Sequence, residues 1–178
     1  SAPVGDDEIA RLRVPPQSIE AEQSVLGGLL LDNSAWDRAA DLLTDSDFYR
    51  YEHRLIYAAI GALVGASKPA DVITVFEVLE RRRIAEDVGG LVYLNALAQS
   101  VPSAANLRRY CQIVNERKVL RELMAVSEDA WNAAMNPNGR SAADVVSEVL
   151  SKISALGRSV TAQGPARGID AADLLSKD

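Results

Sequence analysis

The chain has 178 residues, of which 48% are hydrophobic and 25% charged, and it carries a formal net charge of −6. That length suffices for one globular domain with its own core, and a composition led by alanine and leucine with 5% aromatics leans toward helices. The acidic balance argues against a stand-alone nucleic-acid binder, a single cysteine (Cys111) rules out an internal disulfide, and no apolar run reaches membrane-spanning length. With no signal peptide in view, these features fit a reducing, cytoplasmic compartment. Ser1 is not an ordinary initiator and reads as a processed or engineered end.

In chain order, residues 1–17 are polar, hold three prolines and read as a flexible arm ending at Val14-Pro15-Pro16. Ser18 is placed to cap a first helix, with Glu20 and Glu22 in a first turn where carboxylates suit the helix dipole. Ser34 can cap a second helix through Leu43, its apolar positions being Trp36, Ala39, Ala40 and Leu43. Residues 44–53 read as a loop. A third helix follows to about Gly65 on a stripe of Leu55, Ile56, Ala59, Ile60 and Leu63, and Lys68-Pro69-Ala70-Asp71 breaks it. Thr74-Val75-Phe76-Glu77 reads as a capping box opening a fourth helix that ends near Arg83. After Gly89-Gly90 comes a fifth helix, Leu91 to Gln99, with Leu91, Leu94, Leu97 and Ala98 inward.

The next helix has no internal proline or glycine from Ala104 to about Met135, so at 1.5 Å per residue it would extend on the order of 45–50 Å, longer than a small domain is wide. Its far half is expected to project. Asn136-Pro137-Asn138-Gly139 is a turn, and Ser141 with Asp144 caps a last helix to about Leu156. Val146, Val149, Ile153 and Leu156 are expected to face Leu120, Met124, Ser127, Trp131 and Ala134, making residues 118–157 an αα-hairpin beside a globular part at 18–117. Two helices cannot bury themselves. We expect two hairpins to pair into a four-helix bundle through Leu120, Leu123, Met124, Trp131, Val146, Val149, Leu150 and Ile153; the alternative is that the hairpin folds back on its own globular part. Residues 158–178 read as a glycine-rich linker followed by the start of an amphipathic helix, Ile169–Asp178.

Chemistry is mostly absent. There is no G-x-x-x-x-G-K-[ST] phosphate loop: Gly61-ALVG-Gly65 is followed by Ala66, Ser67 and Lys68. Gly61-x-x-x-Gly65 is a close-packing spacing that in a soluble helix is more often incidental. One histidine and one cysteine build no zinc site; His53 reads as a capping or core-edge residue and Cys111 as a small core residue. The pairs Glu20/Glu22 and Asp45/Asp47 sit where capping explains them. The basic runs Arg81-Arg82-Arg83, Arg108-Arg109 and Arg117-Lys118 read as helix-end charges, solvated faces or ion pairs with Glu116 and Glu122. No cofactor or metal is expected.

The first helix raises a question of its own, because Gly27-Gly28 costs it roughly 1 kcal/mol per glycine relative to alanine. At 100° per residue Ile19, Glu22, Val25, Leu26, Leu29 and Leu30 share one arc, with Ala21, Ser24 and Gly28 opposite. A central helix approached closely by another at Gly28 is expected, with Gly27, between the two faces, serving at most to tolerate a tight crossing or bend. Glu22, inside the apolar arc, needs a partner: a backbone N–H, Arg54 or His53.

Five blocks in order carry a resemblance. Pro15-PQSIEAEQSVLGGLLLD-Asp32, Asp47-FYRYEHRLIYAAI-Ile60, Asp71-VITVFEVLE-Glu80, Gly89-GLVYLNAL-Leu97 and Val101-PSAANLRRYCQIVNERKVLREL-Leu123 resemble the N-terminal domain of bacterial replicative DNA helicases, the DnaB family. The resemblance implies an all-α fold, a globular six-helix part with a projecting helical hairpin. It implies hairpin dimers, three of which form the collar of a hexamer. It also implies that primase binds the collar, that a helicase loader is a further partner, and that ATP and Mg belong to a motor domain beyond the linker. Little direct nucleic-acid binding and no membrane association are expected of this part. Glu20, Tyr93 and Met124 are the residues the resemblance suggests for primase contact. The rival reading is an unrelated all-helical dimeric adaptor.

Overall fold

The computed structural model describes residues 14–101 and 103–162, with side chains omitted at Ala104 and at 160–162. Among the described residues there are α-helices and short 3-10 turns and no strand: α1 (Ile19–Leu31), α2 (Trp36–Ala40), α3 (Tyr51–Gly65), α4 (Val72–Arg81), α5 (Gly90–Gln99), α6 (Leu107–Met135) and α7 (Ala142–Ala162). The chain forms two compact units, Ser1–Lys118 and Val119–Asp178, the boundary falling inside α6. The expectations for residues 1–13 and for the Ile169–Asp178 helix lie outside the described residues.

In the first unit α1 is the central element. Ser18, in extended backbone, starts it by accepting from the Ala21 N–H at 3.3 Å. From Ala21 to Leu30 every residue but Gln23 is buried, so the small-residue side is covered as fully as the apolar arc. A helix buried on all sides needs close neighbours, and the glycine pair supplies one. A Cβ built on Gly27 would fall inside the contact radius of the Leu97 carbonyl oxygen of α5 and 2.6 Å from Val101 Cγ2. At Gly28 it would meet only Leu107 Cδ1, at 3.4 Å. The close crossing expected at Gly28 is therefore at Gly27, because it is the α5 backbone that sets the approach. Gly61 is likewise not incidental: the Trp36 indole lies on it, 2.7 Å from where a Cβ would stand.

Three helix starts differ from the sequence expectation, two of them because an aspartate two or three residues earlier takes the cap. Asp32, not Ser34, nucleates the second segment, its Oδ1 accepting from the Ser34 N–H (3.0 Å) and hydroxyl (2.6 Å). The product is a 3-10 turn, Asn33–Ala35, and the short α2 rather than a helix to Leu43. α3 begins at Tyr51, which puts His53 in its first turn. α4 is capped by Asp71, with Thr74 as the return partner: Thr74 N–H to Asp71 Oδ1 and Asp71 N–H to Thr74 Oγ1 are both 2.9 Å. Thr74 is thus the third residue of the helix, not its cap. Asp71→Ala is expected to lower stability by about 1 kcal/mol, read as a shift in the urea midpoint with an unchanged slope. Asn33 joins α1 to the segment before α4. Its Nδ2 donates to the Leu29 and Ala70 carbonyls and its Oδ1 accepts from the Ala70 N–H, each at 2.8 Å.

In the second unit the later part of α6 and α7 form the expected antiparallel pair, with Lys152 Nζ reaching Asp129 at 3.4 Å and Glu148 at 3.2 Å. The turn before α7 is capped as expected, Ser141 Oγ accepting from the Asp144 N–H at 3.1 Å while Asp144 accepts from Ser141. α7 continues to Ala162, past Leu156 and into residues expected to be linker. Its inward seam keeps Val149 and Leu156 as expected but takes Val145 and Lys152 in place of Val146 and Ile153: Val145 is 7% exposed and Val146 57%. Val145, Val149, Lys152 and Leu156 are the buried and half-buried positions of α7 over that stretch, and Val126, Ala130 and Ala133 are half-buried on α6.

Candidate interaction surfaces and a buried polar latch

Among the described residues of the first unit, the cluster that looks chemical is built on Glu22. Its carboxylate is 1% exposed and accepts from the Tyr49 N–H (2.6 Å), the Arg50 N–H (3.4 Å) and His53 Nδ1 (2.5 Å). His53 is fully buried, and its Nε2 lies 2.7 Å from the Tyr93 hydroxyl, to which Gln23 Nε2 also donates at 3.3 Å. A carboxylate only accepts, so His53 Nδ1 carries a hydrogen and donates to it. Nε2 pairs with the Tyr93 hydroxyl, whose oxygen accepts from Gln23. The Tyr93 and His53 rings lie nearly parallel, their centroids 6.0 Å apart.

Of the partners expected for Glu22, a backbone N–H and His53 are present. Arg54 instead caps carbonyls, those of Phe48 (2.7 Å) and Tyr49 (3.4 Å). The chain Glu22–His53–Tyr93 thus ties α1, the segment before α3, α3 and α5 together. Its hydrogen-bonding atoms are occupied by one another, and it works as a latch between helices. Tyr93, suggested by the resemblance for primase contact, is half-buried with its hydroxyl turned into the fold. His53 is corrected to a core residue rather than an edge one.

Other candidates for reactivity are quiet. Cys111 is buried, and burial pushes its thiol up to about 12, so it stays protonated. No group of three or more His, Cys, Asp and Glu suited to a metal ion occurs among the described residues. Among the basic runs, Arg109 pairs with Glu116 (3.6 Å), Lys118 with Asp47 (3.5 Å) and Arg81 with Glu77 (3.5 Å). No described helix is long and apolar enough to cross a membrane.

The second unit presents a surface. Leu120, Leu123 and Met124 are exposed on α6, as are Trp131 (70%) and Met135 (67%), and Val146, Leu150 and Ile153 are exposed on α7. Val149, placed with them from sequence, is half-buried. Large apolar side chains exposed in such number on two packed helices are the mark of an interaction surface. Glu20 is also exposed, on the first turn of α1.

Residues 14–116 match the family described as the DnaB-like helicase N terminal domain. The chain belongs to that family. It is 38% identical over 173 residues to the replicative DNA helicase DnaB of Pasteurella multocida and 40% identical over 140 residues to the replicative DNA helicase DnaC of Bacillus subtilis. Those matches cover 92% and 79% of this chain but 37% and 30% of the relatives, so the chain spans about a third of their length. What it shares is the N-terminal domain; the larger part of each helicase lies outside the match.

The crystal structure of the N-terminal domain of DnaB helicase from Mycobacterium tuberculosis is similar at a TM-score of 0.74 and 38% identity, over 79% of this chain and 99% of that one. A DnaB-like replicative helicase solved with attention to its interactions with primase matches at a TM-score of 0.64 over 90% of this chain and 36% of that one. At 22% identity that match speaks for the fold alone. The all-α DnaB N-terminal fold read from the five sequence blocks is the fold observed.

Proposed function

We propose that this chain is the collar part of a replicative DNA helicase, a cytoplasmic scaffold that pairs with a second copy through its helical hairpin and recruits primase. The observation that carries the reading is the exposed apolar set on α6 and α7, on a domain of a helicase family. Val145 and Val149 close the hairpin on itself; Leu120, Leu123, Met124, Trp131, Val146, Leu150 and Ile153 are left for a partner, and four helices bury such stripes where two cannot. In the parent protein the pairing raises the effective concentration of subunits, so that three dimers complete a hexamer. The reading gives nucleotide and Mg to the motor domain and assigns none to this chain.

Primase contact is proposed at Glu20 and Met124, both exposed. Tyr93 is left out because its hydroxyl holds His53. A helicase loader is a further partner in this reading.

The test is the mass in solution. The chain is expected to sediment as a dimer, and Leu150→Asp with Ile153→Asp to convert it to monomer without loss of helix signal. An unchanged sedimenting mass for the double variant would exclude the hairpin face as the interface.

A further inference from the structure

The turn that closes the hairpin has a chemistry of its own. Arg140 N–H donates to the Pro137 carbonyl at 3.1 Å, and the two residues between them have positive φ, 51° at Asn138 and 80° at Gly139. This is a type I′ turn. All of Asn136 to Arg140 is exposed. The Gly139 N–H has no acceptor among the described residues, and Gly139 carries no Cβ to shield its nitrogen, in a turn where a built Cβ would meet nothing within 4 Å.

We propose that Asn138 is a site of spontaneous deamidation. The Gly139 backbone nitrogen, on losing its proton, attacks Asn138 Cγ. The N–Cγ bond forms, the Cγ–Nδ2 bond breaks, and the side-chain amide leaves as ammonia with the protons it collects from solvent. Water then opens the five-membered imide at either carbonyl and leaves an aspartyl or an isoaspartyl residue. The only co-reactant is water.

The structure singles this residue out from the seven asparagines of the chain. Asn95, Asn115 and Asn132 lie inside α-helices, where the following N–H is held in the helical ladder. Asn106 ends a 3-10 turn that runs directly into α6. The Asn33 amide is held by the Leu29 and Ala70 carbonyls. Asn136 precedes a proline, whose nitrogen has no hydrogen to give up. The aspartyl product adds a carboxylate close to the Arg140–Glu148 ion pair. The isoaspartyl product lengthens the main chain by a methylene, which breaks the Pro137–Arg140 hydrogen bond and loosens the hairpin's closed end.

The experiment holds the native chain in mildly alkaline buffer beside a urea-unfolded sample and maps both by peptide mass spectrometry. Isoaspartate is read by methyl transfer from S-adenosylmethionine with an isoaspartyl methyltransferase. In the native sample conversion is expected at Asn138 well ahead of the other asparagines, with isoaspartate in the same peptide. Gly139→Ala is expected to slow it about tenfold, roughly 1.4 kcal/mol on the barrier. An Asn138 that survives in the native chain while converting in urea, or that reacts no faster than Asn132, overturns the proposal.

Discussion

Glu22→Ala is expected to destabilise the first unit by about 3–5 kcal/mol, the range for breaking a buried polar pair by removing one partner. The loss has a definite origin. Without the carboxylate the Tyr49 N–H and the buried His53 Nδ1 lose their acceptor, each at about 1–3 kcal/mol. Glu22→Gln keeps one acceptor oxygen and is expected to cost less, about 1–2 kcal/mol. The neighbouring Glu20→Ala is the control: Glu20 is exposed, and its contribution to the helix dipole is about 0.3–1 kcal/mol. Urea unfolding of the three variants measures these differences. Equal midpoints for Glu22→Ala and Glu20→Ala would mean that the latch contributes nothing beyond the dipole.

The second large effect concerns the glycine pair, where adjacent positions are expected to respond with opposite sign. Gly27→Ala places a Cβ against the Leu97 carbonyl and Val101 Cγ2; since a backbone atom is in the way, α1 and α5 must separate, at about 2–3 kcal/mol. Gly28→Ala meets one side-chain methyl at 3.4 Å. It also gains roughly 1 kcal/mol in helix propensity, so it is expected to be neutral or stabilising. Thermal unfolding of the two variants side by side decides the matter. If both alanines are tolerated alike, the α1–α5 crossing is looser than described.

These two sites show where legibility in the sequence stops. That Glu22 needed a partner was readable, because a carboxylate within an apolar arc has few solutions. Its connection through His53 to Tyr93 was not, since the three residues are 31 and 40 positions apart and carry no spacing signature. The glycine pair announced a close crossing but named the wrong member, because α1 is covered on every side and a hydrophobic arc cannot say from which direction a neighbour's backbone arrives. The helix starts were misplaced toward serine and threonine where Asp32 and Asp71 held the caps. Asp and Ser are near-equal caps in isolation, and the choice depends on which residue reaches extended backbone at the right point.

The sequence by itself determined the helical class, the order of the helices and the presence of two apolar stripes on the hairpin, since these depend on periodicity and local propensity; the family was carried by the five ordered blocks that resemble it. Only the tertiary structure decided which stripe turns inward. Val145 and Val146 are adjacent, chemically identical and both repeat at helical spacing into Val149 and Leu150. Rotating α7 by one residue, about 100°, would exchange them, and the rotation is settled by packing against α6. The same rotation leaves Leu150 and Ile153 on the open face, where a second copy of the chain is proposed to cover them.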